Sequence, residues 1–479
     1  MKYVKLFFEK RKLAKDENPA SFFDHVRGDY AFLLQSGGDF AGKKSGLSER
    51  YSYIGYDPYM VCSSMREASG AGSTKGVTQL LKRRDFLDFE KKNTGQIVEG
   101  EPLDVLQNIF KFIHYHGAAP VPFFGGAAGY FSYDFGANLM EVEQKVFDDV
   151  VLPDFVFAFV DKVFAFDHQE NELYFLALAE TDLQARKKIE TMKEDLQKPV
   201  RPRSVGEMGA LKSNVSFAQY QEKIAAVKQY LKDGETYQVN FSQRFAADCT
   251  VDGWKIYQKL SSLNPSPFSC YFEFPEFKIM SSSPELLLRK RGTKVETWPI
   301  KGTVARGKNA EEDAAHEAEL LASEKEKAEL AMITDLERND LGKVCEAGSV
   351  KVTDFQKIEK YSHVIHTIAK VEGKLAYGKD FWDALRAVFP GGSITGCPKK
   401  RTMQIIDGLE DFKRGIYTGS AGFVNLLGDS DLNILIRTIL QKNGKIYAQV
   451  GGGIVADSDP TKEYEETLMK AEALNEALK

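Results

Sequence analysis

The chain has 479 residues, of which 43% are hydrophobic and 28% are charged, and its formal net charge is −5. This length is typical of two or three domains, and the composition is typical of a soluble globular protein. The acidic balance argues against a nucleic-acid-binding protein, which would show a basic excess. Charges interrupt every long apolar run, including those near the N terminus. The sequence therefore predicts neither a membrane span nor a signal peptide.

The cysteines are few, scattered and without a CxxC pair. There are five of them, at Cys62, Cys249, Cys270, Cys345 and Cys397. This usage is typical of a reducing compartment and provides no zinc or redox motif. We therefore expect a cytoplasmic protein.

The first half of the chain alternates short runs of aromatic and β-branched residues with glycine clusters, which predicts antiparallel strands. A segment rich in proline, glycine and serine, residues 197–216, follows a charged helical run and predicts a linker. We expect an N-terminal β-rich domain at residues 1–198 and a catalytic domain at residues 214–479.

The second half mixes strands and helices. Residues 217–234 have helical apolar spacing with a glycine stop, and residues 310–342 form a long, charge-rich helical stretch. Residues 277–290 and 445–457 read as strands. Because strands and helices do not alternate regularly, we predict an α+β fold with large antiparallel sheets.

Lys301 stands in ETWPIKGTVARGKN, residues 296–309, where a buried strand is predicted to enter a turn. Lysine is among the residues least often fully buried. On this stretch alone, the favoured interpretation is that the ammonium reaches water on its flexible stem. The alternative is a buried, functional lysine.

Two glutamate pairs have the three-residue spacing that places both side chains on one face of a helix. They are Glu326 with Glu329, and Glu463 with Glu466. Four convergent carboxylates without a histidine at helical spacing would form a hard oxygen site, suited to Mg²⁺ rather than zinc. Taken singly, such a pair is usually a solvated helix face, so both alternatives stay open.

A glycine-rich loop at residues 389–409 leads into Pro398, which fits the first turn of a helix. Free backbone N–H groups there, with the hydroxyls of Ser393 and Thr395, predict an anion site, and a plain turn is the alternative. The loop is not a Walker A motif, because Cys397 and Pro398 stand where lysine and serine or threonine are required.

Three more features could bind a ligand. Gly451, Gly452 and Gly453 follow a predicted strand and allow close approach to the backbone, although their spacing does not fit a dinucleotide fold. Arg437 lies in an apolar run that reads as a strand, where a guanidinium forms a buried ion pair or binds a carboxylate. His366 is by itself more typical of a satisfied core histidine. Together these residues suit a small polyanionic substrate.

Several segments, taken in order, resemble those of the chorismate-utilising enzymes. This family includes anthranilate synthase component I, aminodeoxychorismate synthase component I, and the isochorismate and salicylate synthases. The resemblance is dense over residues 214–479, looser in the N-terminal half, and implies antiparallel sheets packed as a sandwich with flanking helices. The segments are GETYQVNFSQRF, SSSPELLL, PIKGT, KEKAELAMITDLERNDLGKV, YSHVIHTI, FPGGSITGCPKKR, GIYTGSAGF, NILIRT and GGGIVADSDPTKEYEET.

The resemblance implies a role for each candidate residue. Mg²⁺ would hold the ring carboxylate of chorismate, and Glu285 would be the general acid for the C4 hydroxyl. The implied Mg²⁺ ligands are Glu329 and Glu466, with Glu326 and Glu463 adjoining. The implied substrate-binding residues are Gln238, Thr303, His366, Ser393, Thr395, Tyr417, Arg437, Gly451, Gly452 and Gly453.

Two positions distinguish the subfamilies. Water-using members carry a lysine base where this chain has Gln238, so the expected nucleophile is ammonia. Anthranilate synthases usually carry alanine where this chain has Lys301, and lysine there is typical of the aminodeoxychorismate synthases. The resemblance therefore implies that Lys301 attacks C2, that ammonia then adds at C4, and that apolar surroundings lower the lysine's pKa. Anthranilate formation is the close alternative, and a non-catalytic amino-acid sensor is a distant one.

The resemblance also implies a partner and a second ligand. The chain shows no glutaminase nucleophile elbow, so ammonia is expected from a separate glutamine amidotransferase subunit. The segment FLLQSGG resembles the one that holds tryptophan in anthranilate synthases, with Leu34 and Ser36 as candidate contacts. Gln35 stands where those enzymes usually have glutamate, which puts tryptophan regulation in doubt.

Overall fold

The computed structural model describes residues 2–36, 50–66, 76–84, 94–200, 206–361 and 364–478. Over these ranges the chain forms 25 strands and eleven helices. The strands of the first half are β1 (Lys2–Lys12), β2 (Ala31–Gln35), β3 (Tyr51–Gly55), β4 (Met60–Arg66), β5 (Gly76–Lys82), β6 (Thr94–Val98), β7 (Ile113–Tyr115), β8 (Gly126–Phe131), β9 (Phe155–Val160), β10 (Lys162–Asp167) and β11 (Glu172–Ala179).

The second half supplies the remaining strands and most of the helices. Its strands are β12 (Lys212–Ser213), β13 (Gln238–Asp248), β14 (Phe268–Glu273), β15 (Phe277–Ser283), β16 (Leu286–Arg291), β17 (Lys294–Trp298), β18 (Ile300–Ala305), β19 (Lys351–Lys360), β20 (Val364–Lys374), β21 (Gly396–Cys397), β22 (Ser420–Asn425), β23 (Ser430–Asn433), β24 (Thr438–Lys442) and β25 (Lys445–Ile454). The helices of the whole chain are α1 (Pro19–Val26), α2 (Pro102–Phe112), α3 (Tyr133–Leu139), α4 (Asp182–Asp195), α5 (Phe217–Lys232), α6 (Gly253–Leu263), α7 (Ala310–Ala322), α8 (Glu324–Gly342), α9 (Phe381–Val388), α10 (Lys399–Leu409) and α11 (Pro460–Glu476).

The strands form two large sheets. The 13-stranded sheet has the order β12-β13-β25-β24-β15-β14-β2-β3-β10-β11-β1-β7, with β21 against β13. The 12-stranded sheet has the order β18-β20-β17-β16-β23-β22-β8-β9-β4-β5-β6, with β19 against β20. Both sheets pass from one half of the chain to the other, at the β14–β2 and β22–β8 pairs. The division into domains at residues 198 and 214 stays a prediction.

The two sheets pack face to face through aromatic side chains. Tyr53 of the larger sheet packs against Phe423 of the other with ring centroids 5.6 Å apart, and Tyr130 packs against Phe277 at 5.8 Å. Helices α1, α4, α6 and α11 cover the outer face of the larger sheet, while α2 and α9 pack against the smaller one. The predicted α+β fold, with antiparallel sheets in a sandwich and flanking helices, is confirmed.

The helical stretch predicted at residues 310–342 is two helices rather than one. The chain leaves helical geometry at Ser323 (ψ 104°), and the Ser323 hydroxyl accepts a hydrogen bond from the Glu326 N–H at 3.3 Å. A serine in this position caps a new helix, because its oxygen satisfies an N–H that has no partner inside the helix. The break places Glu326 and Glu329 in the first two turns of α8.

Two stretches predicted as single strands are each divided between the sheets. Residues 277–290 form β15 in the larger sheet and β16 in the smaller one, and the chain crosses at Pro284 and Glu285. Likewise β23 and β24 belong to different sheets, and Arg437 precedes β24 rather than lying within a strand. Arg437 has φ +50°, in the left-handed region that extended strands do not use.

In the part of the chain that the structure describes, no helix is both long enough and apolar enough to cross a membrane.

Candidate active site

The two crossings between the sheets lie side by side and bring Glu285 and Arg437 into one region. The Ile434 N–H donates to the Glu285 carbonyl at 3.0 Å, and the Ser282 N–H donates to the Arg437 carbonyl at 3.1 Å. The Ser283 hydroxyl donates to the Ile434 carbonyl at 2.5 Å. Backbone hydrogen bonds therefore fix both candidate residues where the strands change sheets.

Glu285 is buried and hydrogen-bonded to Ser393, whose hydroxyl donates to Oε1 at 2.6 Å. Burial raises the pKa of Glu285 to about 7, while the Ser393 hydrogen bond and the charge of Lys301 act in the opposite direction. A carboxyl group with this pKa is partly protonated near neutral pH, as a general acid must be. The role of Glu285 as the general acid stays a prediction.

Lys301 lies on β18, and its Nζ is 3.5 Å from the Ser393 carbonyl oxygen. Burial lowers the pKa of Lys301, and the carboxylates of Glu329 and Glu285 oppose this shift. The turn that contains Ser393 therefore contacts both the predicted acid and the predicted nucleophile. A lysine with a lowered pKa has a larger neutral fraction, which is the form that attacks carbon.

The side chains of Gln238 and Lys301 both lie close to Gly453. A Cβ atom added to Gly453 would lie 2.8 Å from Gln238 Nε2 and 3.2 Å from Lys301 Nζ, so any side chain there would fill this space. Within the described part of the chain, both polar atoms of the Gln238 amide are buried and lack a hydrogen-bond partner. Buried polar groups are usually satisfied, so this amide fits a site that a polar ligand completes.

His366 joins Arg437 to Thr303 through its two ring nitrogens. Arg437 Nη2 is 2.8 Å from His366 Nε2, and Thr303 Oγ1 is 2.8 Å from Nδ1. Because a guanidinium can only donate, Nε2 accepts and Nδ1–H donates to the threonine hydroxyl. Burial and the neighbouring Arg437 lower the pKa of His366 well below its usual value, which keeps the ring neutral. His366 therefore orients the arginine.

The glycine strand β25 pairs with β13, where Gly453 faces Asn240 and Gly451 faces Ser242. A Cβ atom at Gly451 would lie 2.9 Å from Tyr417 Oη, so the tyrosine occupies the space of the missing side chain. Burial raises the pKa of Tyr417 to about 12, and the hydroxyl therefore stays protonated and able to donate.

The predicted carboxylates approach this site from two helices, α8 and α11. Glu326 Oε2 would lie 3.2 Å from a Cβ atom on Gly302, and Glu463 Oε2 would lie 3.2 Å from one on Gly452. Burial raises the pKa of Glu329, with Lys301 opposing the shift and Glu326 adding to it. Burial also raises the pKa of Glu463, with Glu466 adding to that shift.

The four carboxylates do not form a closed ligand set in this arrangement. Among the described residues, no group of three or more His, Cys, Asp or Glu side chains is placed to hold a metal ion. Lys470 pairs with Glu466 at 2.7 Å, and Lys325 is 3.8 Å from Glu329. The charge of Glu463 nevertheless raises the pKa of Glu329, and oxygen donors that repel one another in this way are the kind that Mg²⁺ neutralises. The donor set fits Mg²⁺, and the magnesium site stays a prediction.

The glycine-rich loop differs from the predicted anion site. The Thr395 hydroxyl donates to the Gly391 carbonyl at 2.8 Å, and the Ser393 hydroxyl donates to Glu285. Helix α10 begins at Lys399, one residue after Pro398. Both loop hydroxyls already donate within the protein, so neither provides a donor for an anion. The expected substrate contacts of Ser393 and Thr395 stay predictions.

Sequence analysis missed one acidic side chain beside this loop, that of Glu337 on α8. Its Oε1 accepts a hydrogen bond from the Gly392 N–H at 3.1 Å. Glu337 lies eleven residues after Glu326 and eight after Glu329, which places it on the same helix face. This spacing is the only feature of the sequence that could have drawn attention to Glu337.

A second cavity lies where the two halves of the chain meet, and the space in it that is available to the centres of water-sized molecules is about 70 Å³. Leu34 and Ser36, the candidate contacts of the second ligand, line it from the first half of the chain, and Phe268 lines it from the second. Gln35 also lines the cavity, and its side-chain oxygen accepts a hydrogen bond from the Tyr257 hydroxyl at 2.9 Å.

Comparison with known proteins identifies the family. Residues 62–476 match the family described as chorismate binding enzyme. The chain is 39% identical to aminodeoxychorismate synthase component 1 of Bacillus subtilis (strain 168), over 91% of this chain and 90% of that protein. It is 36% identical to anthranilate synthase component 1 of Acetivibrio thermocellus, over 96% of this chain and 93% of that protein. The crystal structure of anthranilate synthase component I from Streptococcus pneumoniae matches with a TM-score of 0.77 at 29% identity, covering 91% of this chain and 94% of that one.

The chain belongs to the chorismate-binding enzymes and acts on chorismate. Both relatives are similar enough to establish this family, but they carry out different reactions on the substrate.

The hydrogen bond between Ser393 and Glu285 generates a prediction about pH. The bond favours the charged carboxylate, so Ser393→Ala should raise the pKa of Glu285 by about one unit, since a hydrogen bond contributes ~1 kcal/mol. The acid then stays protonated to higher pH. The alkaline limb of kcat for chorismate consumption should move upward, whereas Ser269→Ala, which removes a buried hydroxyl bonded to the Ser266 carbonyl, should leave it in place. An unchanged limb in Ser393→Ala would contradict the role of Glu285.

Proposed function

We propose that the enzyme aminates chorismate at C4 with ammonia to give 4-amino-4-deoxychorismate, as an aminodeoxychorismate synthase component I. The observation that carries this proposal is Lys301, whose Nζ lies beside the Ser393 turn and whose pKa is lowered by burial. Glu285, bonded to the same serine, supplies the acid. The similarity to the Bacillus subtilis aminodeoxychorismate synthase supports the assignment.

The reaction has two displacement steps. The neutral Lys301 amine forms a bond to C2, both conjugated double bonds of the ring shift by one position, and the C4–oxygen bond breaks as Glu285 protonates the hydroxyl to water. Ammonia then forms a bond to C4, both double bonds shift back, and the C2–nitrogen bond to Lys301 breaks. The proton given up by the new C4 amino group replaces the one that Glu285 donated, and the proton lost by the lysine nitrogen on forming its bond returns to it when that bond breaks. The enolpyruvyl group is retained, and the net change is the exchange of a hydroxyl for an amino group with release of water.

The remaining residues bind and orient the substrate. Arg437 and Tyr417, with the backbone amides of Gly451–Gly453, would hold the enolpyruvyl carboxylate, and His366 keeps the guanidinium in place. Glu329 and Glu466, with Glu326 and Glu463, would hold Mg²⁺, which when bound would neutralise the ring carboxylate.

Gln238 bears on the choice of nucleophile. An amide side chain cannot remove a proton from water, whereas its oxygen can accept a hydrogen bond from ammonia. Its unpartnered position near Lys301 supports a role at the point where nitrogen enters. We propose that a separate glutamine amidotransferase subunit supplies the ammonia and that the reaction takes place in the cytoplasm.

Anthranilate synthesis is the second candidate, supported by 36% identity to an anthranilate synthase component 1 over nearly the whole chain. That reaction would aminate C2 and release pyruvate. Lys301 favours the first candidate, because a lysine amine bonded to C2 would block direct attack of ammonia at that carbon.

The cavity lined by Leu34 and Ser36 is proposed to bind tryptophan, by analogy with anthranilate synthases. Its wall contains Phe268 and Tyr53, which suit an aromatic ligand. Whether binding regulates turnover or only stabilises the fold is decided by measuring activity and thermal stability with added tryptophan.

The covalent route predicts an adduct on Lys301. With chorismate and Mg²⁺ but no nitrogen source, the enzyme should accumulate an adduct whose mass is one chorismate less one water, on the peptide that contains Lys301. Intact-protein and peptide mass spectrometry measure it. Lys290→Met, which alters a buried lysine paired with Asp429 elsewhere, should still form the adduct. Absence of the adduct, together with undiminished aminodeoxychorismate formation by Lys301→Ala, would refute the nucleophile role.

The metal assignment predicts a change in Mg²⁺ dependence. Glu466→Gln removes one charge and one hard ligand at nearly constant volume, so chorismate turnover at ordinary Mg²⁺ should fall by orders of magnitude, roughly 100-fold or more. Titrating Mg²⁺ in the assay measures this effect. Glu465→Gln, on the exposed face one residue earlier, is the matched control and should behave as the unmodified enzyme. Equal turnover in both variants would exclude Glu466 as a ligand.

The proposed partner predicts the nitrogen source of the isolated chain. The purified chain should convert chorismate with ammonium salts and not with glutamine, because it is expected to have no residue that hydrolyses the amide. Product identification by chromatography in the same assay separates aminodeoxychorismate from anthranilate. Glutamine-dependent turnover without a second subunit would contradict the two-subunit proposal.

A further inference from the structure

Helix α8 carries acidic side chains along one face beyond the two predicted metal ligands. Glu326 and Glu329 lie near its start, and Glu337 and Asp340 lie two to four turns further on. The exposed fraction of Glu337 is only 2%, and that of Asp340 is 1%. Buried carboxylates are costly unless they are paired or hydrogen-bonded, so the partners of these two side chains indicate what they do.

Glu337 contacts two segments that lead into the active site. Its Oε1 accepts from the Gly392 N–H at 3.1 Å, and its Oε2 lies 3.5 Å from the Thr297 hydroxyl. Thr297 is four residues before Lys301 in the chain, and Gly392 directly precedes Ser393. One carboxyl group therefore contacts both segments that position the predicted nucleophile and the partner of the predicted acid.

The turn at residues 392–394 relays this contact to the reacting groups. Gly392 begins the turn, the Ser393 hydroxyl donates to Glu285, and the Ser393 carbonyl lies 3.5 Å from Lys301 Nζ. A Cβ atom on Gly392 would lie 2.5 Å from Leu336 Cδ2 and 3.1 Å from Glu337 Oε1. The turn thus packs directly on α8, and a side chain at residue 392 would require Leu336 or the turn to move.

Asp340 ties helix α10 to the same helix α8. Lys399, the first residue of α10, donates to Asp340 Oδ2 at 2.6 Å and to the Val388 carbonyl at 2.9 Å. The segment between Gly392 and Lys399 is therefore held by α8 at both of its ends. This arrangement limits the movement of Ser393 relative to the helix that also carries Glu326 and Glu329.

We propose that Glu337 is a positioning residue, which holds the Gly392–Ile394 turn so that Ser393 is aligned with Glu285 and Lys301. The proposal rests on the roles assigned above to Glu285 and Lys301. In this proposal Glu337 acts through the turn, which it contacts at the Gly392 N–H. Burial raises the pKa of Glu337, which favours the protonated, uncharged form of the side chain. The uncharged amide of glutamine is a close mimic of that form.

Two substitutions separate the positioning effect from the effect of charge. Glu337→Gln and Glu337→Leu both remove the charge, but only glutamine keeps an oxygen that accepts the Gly392 N–H. We expect kcat for chorismate consumption to fall roughly 10- to 100-fold in Glu337→Leu, as for a misplaced catalytic group. Glu337→Gln should stay within about threefold of the unmodified enzyme. KM for chorismate should change little in both variants.

The pH profile of kcat gives a readout that a mere loss of stability would not change. The Ser393 hydrogen bond lowers the pKa of Glu285. If the turn shifts in Glu337→Leu, this bond weakens, and the alkaline limb of kcat should lie at higher pH than in Glu337→Gln. Gly392→Ala pushes the turn off α8 without altering Glu337 and should reproduce the loss of kcat. Asp195→Asn, which changes a buried carboxylate bonded to Tyr56 in the N-terminal half, is the control and should keep full activity.

Four results would overturn the proposal. They are a normal kcat in Glu337→Leu, an equal loss in Glu337→Gln, a normal kcat in Gly392→Ala, and an equal loss in Asp195→Asn. If Glu337→Leu fails to fold, as circular dichroism would show, Gly392→Ala and Glu337→Gln still decide the question. The readout is chorismate consumption, so the result holds whether the product is aminodeoxychorismate or anthranilate. Failure of the proposed function would appear separately, as a different product.

Discussion

Glu285 and Lys301 share a buried site in which each lowers the cost of charging the other. Burial raises the pKa of Glu285 to about 7 and lowers the pKa of Lys301, and the opposite charge of each partner acts against these shifts. A carboxyl group and an amine whose pKa values are moved toward each other can both be present in reactive form near neutral pH. The Ser393 turn lies between them, and the rest of the site keeps that turn in place.

The fold delivers this pair by dividing two chain segments between the sheets. Each segment reads as a single strand in the sequence. A strand that is buried in either sheet is built from the same apolar residue types, so the pattern does not show where the chain changes sheets. The change of sheet at Glu285 and at Arg437 depends on pairing with strands far away in sequence. Pro284 gives a local reason for the first crossing, since it has no N–H to donate to a ladder. The left-handed backbone of Arg437 has no comparable signal.

Local patterns predicted the parts of the site that obey helical or strand periodicity. The glutamate pairs Glu326–Glu329 and Glu463–Glu466 were visible as helix faces, and the antiparallel strands followed from composition. The role predicted for Lys301 rests on the family resemblance, because residues 296–309 alone favour a lysine whose ammonium group reaches water. Glu337 could not be assigned, since its partner Gly392 is 55 residues away and meets it only in the folded chain. Thr395 could not be assigned for a different reason, since its hydroxyl donates to the nearby Gly391 carbonyl and no periodicity of the sequence indicates that local bond.

A short series of hydrogen bonds joins the cavity lined by Leu34 and Ser36 to the predicted acid. Asn433 lines the cavity, its side chain bonds the Phe268 carbonyl and the Ala421 N–H, and the next residue, Ile434, donates to the Glu285 carbonyl. A ligand that shifts Asn433 would therefore act on the Asn433–Ile434 peptide, whose N–H holds the Glu285 carbonyl. Coupling between two sites is reciprocal in binding free energy, so a ligand of the cavity that weakens chorismate binding would itself bind less tightly when chorismate is present. The side chain of Asn433 and the backbone of Ile434 thus join the wall of the cavity to the backbone of Glu285.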